Sequence, residues 1–473
     1  MSILILTGPY VIDNPERNVR RLIQRLRDKQ QFQAGDTVLL PMQALNGTVD
    51  AFWLMRPENR ERNDYWLKKL ASGLKTTGVR LLIPVALTQG VGVLEMVGGQ
   101  LRTLAIKPID GGIYVEAEQT QIGMDVIFRT AAVGEPFAIP DSSDYVIVDG
   151  RGFDNGHVFL GQCRLVKKGR TRLSYLGEAD LINLGEGHVC LQDVHHERFA
   201  AMQMALRCYL QNYGFERVTI GISGGLDSAV VAALAVSVVG ADRVNAVVMP
   251  SCFTSQASKI DAQQLAQRLQ LRLRSIDIMP AVQCIAQSVN PHLPYWANKD
   301  LMNENIQARV RGLLLMSISN ADGSLVLNTG NKSELSVGYC TMYGDMVGGL
   351  APLADIYKSD LYKLCENVPY LREMIPSNIL TKAPSAELRE NQKDEDSLPS
   401  YTELDAVLKD LIEGAMSGKR LRKKYGAEFA NKICKMVSSS QFKHHQAPLA
   451  VCLTGRPICA LTPEFFHGLL TQN

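Results

Sequence analysis

Six residues constrain this chain more than any others. Ser223-Gly224-Gly225-Leu226-Asp227-Ser228 lies between the β-prone run Val218-Thr219-Ile220-Gly221-Ile222 and an apolar run with helical character. Paired glycines let a backbone pass close to a ligand in conformations that side chains forbid. A helix opening there offers unpaired N–H groups and the positive end of its dipole, which suits phosphate. Hydroxyls of Ser223 and Ser228 can add donors. Asp227 beside a phosphate would repel it, so its presence calls for a Mg²⁺ between the two. The Gly-Lys-Ser/Thr ending of a Walker loop is absent. The helix behind the loop, Ala229-Val230-Val231-Ala232-Ala233-Leu234-Ala235, is apolar on every side and belongs at the centre of a domain.

The surrounding pattern repeats strand, loop and helix. Strands are predicted at 217–222, 245–249, 272–278 and 325–328, and helices at 196–213, 227–239, 256–269 and 304–320. Such alternation gives an α/β fold, a parallel sheet with helices on both faces, in which ligands sit beyond the carboxyl ends of the strands. The earlier residues read differently: short β-rich runs at 2–6, 37–40, 80–84, 91–97, 101–106 and 145–148, with helices at 18–29 and 62–74. With 473 residues the chain exceeds one ordinary core. A Gly-rich linker from Gly185 divides it into residues 1–187 and 188–473. The polar, proline-bounded stretch 382–399 is a candidate mobile loop.

Composition narrows the partners. The formal net charge of +2 is too balanced for nucleic acid or an anionic membrane as a bulk partner. Met1-Ser2-Ile3-Leu4-Ile5-Leu6 reads as a first strand rather than a signal peptide, and the apolar stretch 229–241 is too short to span a bilayer, so a cytoplasmic protein is expected. None of the ten cysteines forms a CxxC pair, which favours reduced, buried thiols over a zinc or iron–sulfur site. His195-His196 and His444-His445 read as surface histidines.

The S-G-G-x-D-S loop resembles the pyrophosphatase loop of enzymes that split ATP into AMP and pyrophosphate. NAD synthetases, GMP, asparagine and argininosuccinate synthetases and tRNA thiolation enzymes share it, and the rest of the chain selects among them. Asn303-Glu304-Asn305-Ile306-Gln307-Ala308-Arg309 resembles the N-x-x-A-R segment of NAD synthetases. Thr329-Gly330-Asn331-Lys332-Ser333-Glu334, Tyr343-Gly344-Asp345 and Pro352-Leu353-Ala354-Asp355-Ile356-Tyr357-Lys358 are similar to that family's T-G-N/T-x-x-E, Y-G-D and P-L-x-D-x-Y-K. Pro384-Ser385-Ala386-Glu387-Leu388 and Asp394-Glu395-Asp396-Ser397-Leu398-Pro399 match its P-S/T-A-E/D-L and following acidic loop. The segment Phe442-Lys443-His444-His445-Gln446-Ala447-Pro448 departs from the family's more basic K-R-x-Q-x-P.

The resemblance implies a Rossmann-like ATP-pyrophosphatase domain. It also implies a reaction in which ATP adenylates the carboxylate of nicotinic acid adenine dinucleotide, and ammonia displaces AMP. Ser223, Gly224, Gly225, Asp227, Ser228, Thr329 and Lys358 would bind ATP, with Asp227 and Glu334 on Mg²⁺ acting as Lewis acid and template. Lys358 would neutralise charge on the phosphates, and Ser385 would donate to the oxyanion of the ammonia adduct. Arg309, Asn305 and Asp345 would contact the dinucleotide, Arg309 by its two-pronged fork. A homodimer or higher homo-oligomer is expected. Read singly, Arg309 and Lys358 could be surface ion-pair partners, and Glu334 could belong to a helix start.

Residues 1–187 look like a shortened version of the nitrilase-like αββα glutaminase domain that some NAD synthetases carry. Gly35-Asp36-Thr37-Val38-Leu39-Leu40-Pro41-Met42-Gln43-Ala44-Leu45-Asn46-Gly47 resembles its D-L-V-V-F-P-E-L-A-L-T-G, with Met42 in the place of the general-base glutamate. Methionine has no proton to exchange. Lys107 falls where the family's lysine would, but Cys163 lacks the C-E-D-x-W context of the nucleophile. The expectation is a degenerate domain and dependence on free ammonia or a partner's ammonia; the alternative is glutamine dependence through an unrecognised nucleophile. A tRNA thiolation enzyme would need paired cysteines and a basic surface, and a non-enzymatic binding module would be expected to lose Asp227 or Glu334.

Overall fold

The computed structural model describes residues 2–7, 14–42, 44–46, 57–87, 90–109, 112–120, 122, 124–129, 144–148, 151–154, 157–160, 163–168, 170–175, 181–184, 194–454 and 456–457. It divides into two compact units, residues 1–204 and 205–473, and the division falls within the helix Val194–Tyr213.

The first unit holds two six-stranded sheets. In one, Ile3–Leu6, Thr37–Leu39 and Arg80–Leu87 run parallel, flanked by the antiparallel strands Leu181–Asn183, Gly90–Val97 and Gln100–Leu104. Strand side chains alternate faces, and the burial follows that period. Leu4, Leu6, Val38, Leu40, Leu81 and Ile83 pack on the helices Pro15–Leu26 and Pro57–Gly73 through Val19, Leu22, Leu67 and Leu70. Ile5, Leu39 and Leu82 point the other way, onto Val126, Phe128, Val146 and Val148 of the second sheet. The result is helix on sheet on sheet, three of the layers in the αββα order. The second sheet, from Lys107–Ile109 to Arg170–Tyr175, was visible in the sequence only at Tyr145–Val148.

The second unit is built on a four-stranded parallel sheet in the order Leu273–Ser275, Val244–Val248, Val218–Gly221, Leu325–Val326. All four strands match the predicted ones. The helix Leu226–Val239 has nine buried residues from Leu226 to Ala235, as expected of a helix apolar on every side. The helix Lys299–Asp322 starts earlier than predicted because the Asn298 side chain caps it, accepting from Leu301 N at 3.0 Å. A further bundle of Tyr401–Leu408, Gly418–Tyr425 and Ala427–His444 packs on the helix Lys332–Val337 through Leu335, Leu404, Val407, Leu421, Ile433 and Val437. In that bundle His444 is buried, not a surface residue: its ring nitrogen Nε2 lies 3.1 Å from the Leu335 carbonyl, and burial holds its pKa below the ordinary value.

Buried charges tie this bundle to the sheet. Lys332 is fully buried, its ammonium 2.7 Å from Asp355 and 2.9 Å from each of Glu413, Thr454 Oγ1 and the Arg456 carbonyl. Asp355 also accepts from the backbone N–H groups of Leu453 and Thr454 at 2.6 and 2.7 Å. The Ser333 hydroxyl donates to Asp405 at 2.5 Å and accepts from Lys358 N at 2.9 Å. Lys332→Met would strand Asp355 in the interior. It is expected to cost about 3–5 kcal/mol of stability, read by calorimetry as a lower melting temperature for this unit, with partial recovery in the Lys332→Met/Asp355→Asn double variant.

Candidate active site

The glycine loop is closed upon itself by its own serines. Gly225 N donates to Ser223 Oγ at 3.1 Å, Ser223 N to Ser228 Oγ at 3.2 Å, and Ser228 Oγ to the Gly225 carbonyl at 3.1 Å. Both serines, expected as phosphate donors, thus shape the loop. Gly224 has φ +77°, and a Cβ there would stand 2.3 Å from the Ser258 carbonyl oxygen, so only glycine fits. Gly225 is the N-cap of the helix Leu226–Val239, which leaves that helix's first N–H groups facing the loop.

Asp227, on the first turn of this helix, meets two other segments. Its carboxylate accepts from Asn331 Nδ2 at 2.9 Å and pairs with the Lys358 ammonium. Lys358 opens the helix Lys358–Asn367, is nearly fully buried, and stands 3.5 Å from Glu334 Oε1. One cation therefore serves two carboxylates from two different elements. A third carboxylate, Asp394, joins through Tyr401, whose hydroxyl lies 2.9 Å from Asp394 and 3.3 Å from Glu334. The Tyr401 ring faces the Lys358 ammonium, 5.5 Å from its centroid.

The electrostatics follow from burial. Burial pushes the Glu334 carboxyl up to about 8, against the pull of Lys358 and with the push of Asp227 and Asp394. Burial also raises Asp394. It works against the charge on Lys358, yet Asp227 and Glu334 outweigh it and hold that ammonium above its ordinary range. Among the described residues no group of three or more His, Cys, Asp and Glu side chains forms a protein-only metal cage. Asp227 and Glu334 instead offer hard carboxylate oxygens on either side of the Lys358 ammonium, the kind of donor Mg²⁺ takes when phosphates complete its shell.

These groups line one cavity of about 330 Å³ at the carboxyl ends of the sheet strands, together with Ser223, Gly225, Ser228, Thr329, Asp345 and Ser385. The hydroxyl of Ser385 is committed within its own turn, donating to the Gln392 carbonyl at 2.5 Å and accepting from Glu387 N at 3.2 Å. Asp345 stands exposed on the cavity wall, where Thr341 N donates to its carboxylate at 2.7 Å and desolvation by the surrounding protein raises its pKa to about 6.

Arg309 and Asn305 lie outside the cavity lining. Arg309 is exposed and donates to the Met342 carbonyl at 3.2 Å, while Asn305 bonds Leu301 O and Thr341 Oγ1. The arginine on the cavity is Arg311, with Ala308, Gly312 and Leu315 on the same stripe of the helix Lys299–Asp322. Residues two apart on a helix face nearly opposite ways, so helical phase could have found it. Burial lowers Arg311 to about 10, with Glu387 and Asp345 opposing. Asn331, Asp394, Tyr401, Lys382 and Glu387 were also given no role by the sequence reading.

In the first unit, Met42 packs against the core between the two sheets and Cys163, 1% exposed, is part of that core. Lys107 is exposed and paired with Glu116. The described residues do not gather a Glu, Lys and Cys of the glutaminase kind.

The NAD synthase family model matches residues 198–447, more than half of the chain. The chain belongs to the NAD synthase family. It is 43% identical over 267 residues to a glutamine-dependent NAD(+) synthetase of Acinetobacter baylyi, covering 56% of this chain and 49% of that protein. The Rhodobacter capsulatus enzyme of the same name is 46% identical over 228 residues, 46% of this chain and 41% of the relative. The matched segment thus spans about half the length of these curated relatives. Among solved structures, a glutamine-dependent NAD+ synthetase from Acinetobacter baumannii, in complex with adenosine diphosphate, superposes with a TM-score of 0.68 at 25% identity, covering 97% of this chain and 96% of that one. One from Cytophaga hutchinsonii superposes with a TM-score of 0.75 at 14% identity over 99% of both, which speaks for the fold alone. Among the described residues no helix is long and apolar enough to cross a membrane.

The position of Asp345 gives a pH test with a definite sign. Its pKa is raised by folding, so its ionisation opposes folding increasingly from the ordinary aspartate range up to about 6 and by a constant amount above, a cost that solvent access to this exposed side chain reduces. Asp345→Asn should melt like the wild type at pH 4 and above it at pH 8, by scanning calorimetry at both.

Proposed function

We propose that this chain is an NAD synthetase. It transfers AMP from ATP to the carboxylate of nicotinic acid adenine dinucleotide, and ammonia then attacks the acyl adenylate to give NAD⁺ and AMP. The observation that carries this reading is the meeting of Asp227, Glu334 and Lys358 beside a preformed glycine loop. A carboxylate resists ammonia, and adenylation turns one of its oxygens into a leaving group. In this reading the triphosphate rests on the N–H groups of the loop, with Thr329 alongside. Asp227 and Glu334 hold the Mg²⁺ that comes with ATP; bound there, the ion would act as a Lewis acid on the phosphates. Lys358 balances the charge of the departing pyrophosphate. Asp345 and Arg311 face the dinucleotide, and Arg309 and Asn305 would touch it only outside this cavity. Ser385 must turn its proton from Gln392 towards the oxyanion formed when ammonia adds. A cytoplasmic homodimer or higher homo-oligomer is part of the same proposal.

The nitrogen donor has two readings, each with its own support. The relatives are named glutamine-dependent, and the likeness to the Acinetobacter baumannii structure runs through the first unit. That favours glutamine over the ammonia dependence expected from the sequence. Met42, the surface Lys107–Glu116 pair and the buried Cys163 favour ammonia from solution or from another protein. Assaying NAD⁺ formation with glutamine and with ammonium chloride separates them: turnover on glutamine supports a working first unit, and turnover on ammonium alone supports a degenerate one.

Asp227→Ala and Lys358→Met should each lower AMP release by about a hundredfold or more, the scale of losing one preorganised charge, measured by chromatography of the nucleotides. Undiminished AMP release in Asp227→Ala would refute the assignment.

A further inference from the structure

The turn carrying Ser385 is fastened to the glycine loop by Lys382. Its ammonium lies 2.8 Å from the Gly224 carbonyl, 3.0 Å from Ser258 Oγ and 2.9 Å from Asp261 Oδ2. An ammonium has three protons, and three acceptors use them. The Ser258 hydroxyl, while accepting from Lys382, donates to Glu387 Oε1 at 2.7 Å, and Ser255 N donates to the other Glu387 oxygen at 3.3 Å. Ser255 is the N-cap of the helix Gln256–Arg268, and Ser258 and Asp261 lie on its first turns. Lys382 and Glu387 thus bracket Ser385 and grip the same helix. Glu387 is held at φ +48°, a backbone conformation that side chains disfavour.

We propose that Lys382 is a positioning residue, a clasp that registers the Ser385 turn on the glycine loop through Gly224, Ser258 and Asp261, and not a ligand of the nucleotide phosphates. The proposal rests on the role given to Ser385 above. Charge and location alone would make Lys382 a phosphate ligand, because it lines the cavity. Its bonding argues otherwise. Moving to a phosphate would break three bonds and leave the Asp261 side chain, 3% exposed, without its cation. The Gly224 carbonyl, on the loop itself, would lose its donor as well. As a clasp, the same ammonium aligns two segments that must both be in register when ammonia attacks.

The test is steady-state kinetics of the full chain with ATP, nicotinic acid adenine dinucleotide and ammonium, on Lys382→Met, Asp261→Asn, Ser385→Ala and Lys382→Met/Ser385→Ala. A clasp predicts that Lys382→Met lowers kcat about tenfold or more, the scale of one lost charged hydrogen bond, with the KM for ATP changed less than about twofold. The double variant should be no slower than Ser385→Ala alone, because Lys382 acts through that turn. Asp261→Asn should show the same split to a smaller degree, and decides the matter if Lys382→Met does not fold. A rise of about tenfold in the KM for ATP at unchanged kcat, or multiplied losses in the double variant, would overturn the clasp. If Ser385→Ala leaves turnover unchanged, the role of Ser385 fails, and the split between KM and kcat in Lys382→Met still decides the clasp.

Discussion

Lys358 is an ammonium held in the interior between two carboxylates that would otherwise repel each other. Asp227 comes from the helix behind the glycine loop, Glu334 from the short helix 332–337, and Lys358 from the start of a third helix. None of the three could be buried as a lone charge at acceptable cost. Their pairing joins the strand–loop–helix unit to the rest of the site, and the rest of this unit's polar interior supports it. Lys332 and Asp355 anchor the segments on either side, while Ser333 and Asp405 set the backbone at Lys358. Burial pushes Glu334 and Asp394 both above the ordinary carboxylate range.

What the sequence disclosed, and what it withheld, follows the range of the interactions. The glycine loop was legible because a positive φ at Gly224 and the close approach of Ser258 demand glycine within a six-residue motif. The parallel sheet was legible because hydrophobic period is local. The second sheet of the first unit was mostly missed: Lys107–Ile109 is three residues long, and the longer strands Cys163–Lys167 and Arg170–Tyr175 are interrupted by charged residues, where the predicted Tyr145–Val148 is apolar throughout. Arg309 was chosen over Arg311 by motif matching, where helical phase puts Arg311 on the stripe with Ala308 and Leu315. The pair Lys332–Asp355 and the bonds of Lys382 to Asp261 and Gly224 join residues far apart in the chain, and no local pattern announces them. The serine hydroxyls have local partners that no sequence pattern shows. At Ser223, Ser228 and Ser385 they bond their own loops, as short polar side chains do in turns.

The two units raise different chemical questions. In the second, the glycine loop, Asp227, Glu334 and Lys358 converge on one cavity. In the first, Lys107, the residue that resemblance would align with the family's lysine, sits in a surface ion pair, and Cys163, which lacks the nucleophile's context, lies in the core between the sheets. Ile5, Leu39, Leu82 and Phe128 are sealed from solvent between its sheets.

The central claim is that the site makes an acyl adenylate. The direct measurement is mass spectrometry of the AMP formed from nicotinic acid adenine dinucleotide carrying ¹⁸O in its carboxylate. The account predicts one ¹⁸O transferred to the phosphate of AMP at each turnover. AMP without the label, or label found in pyrophosphate, would contradict it.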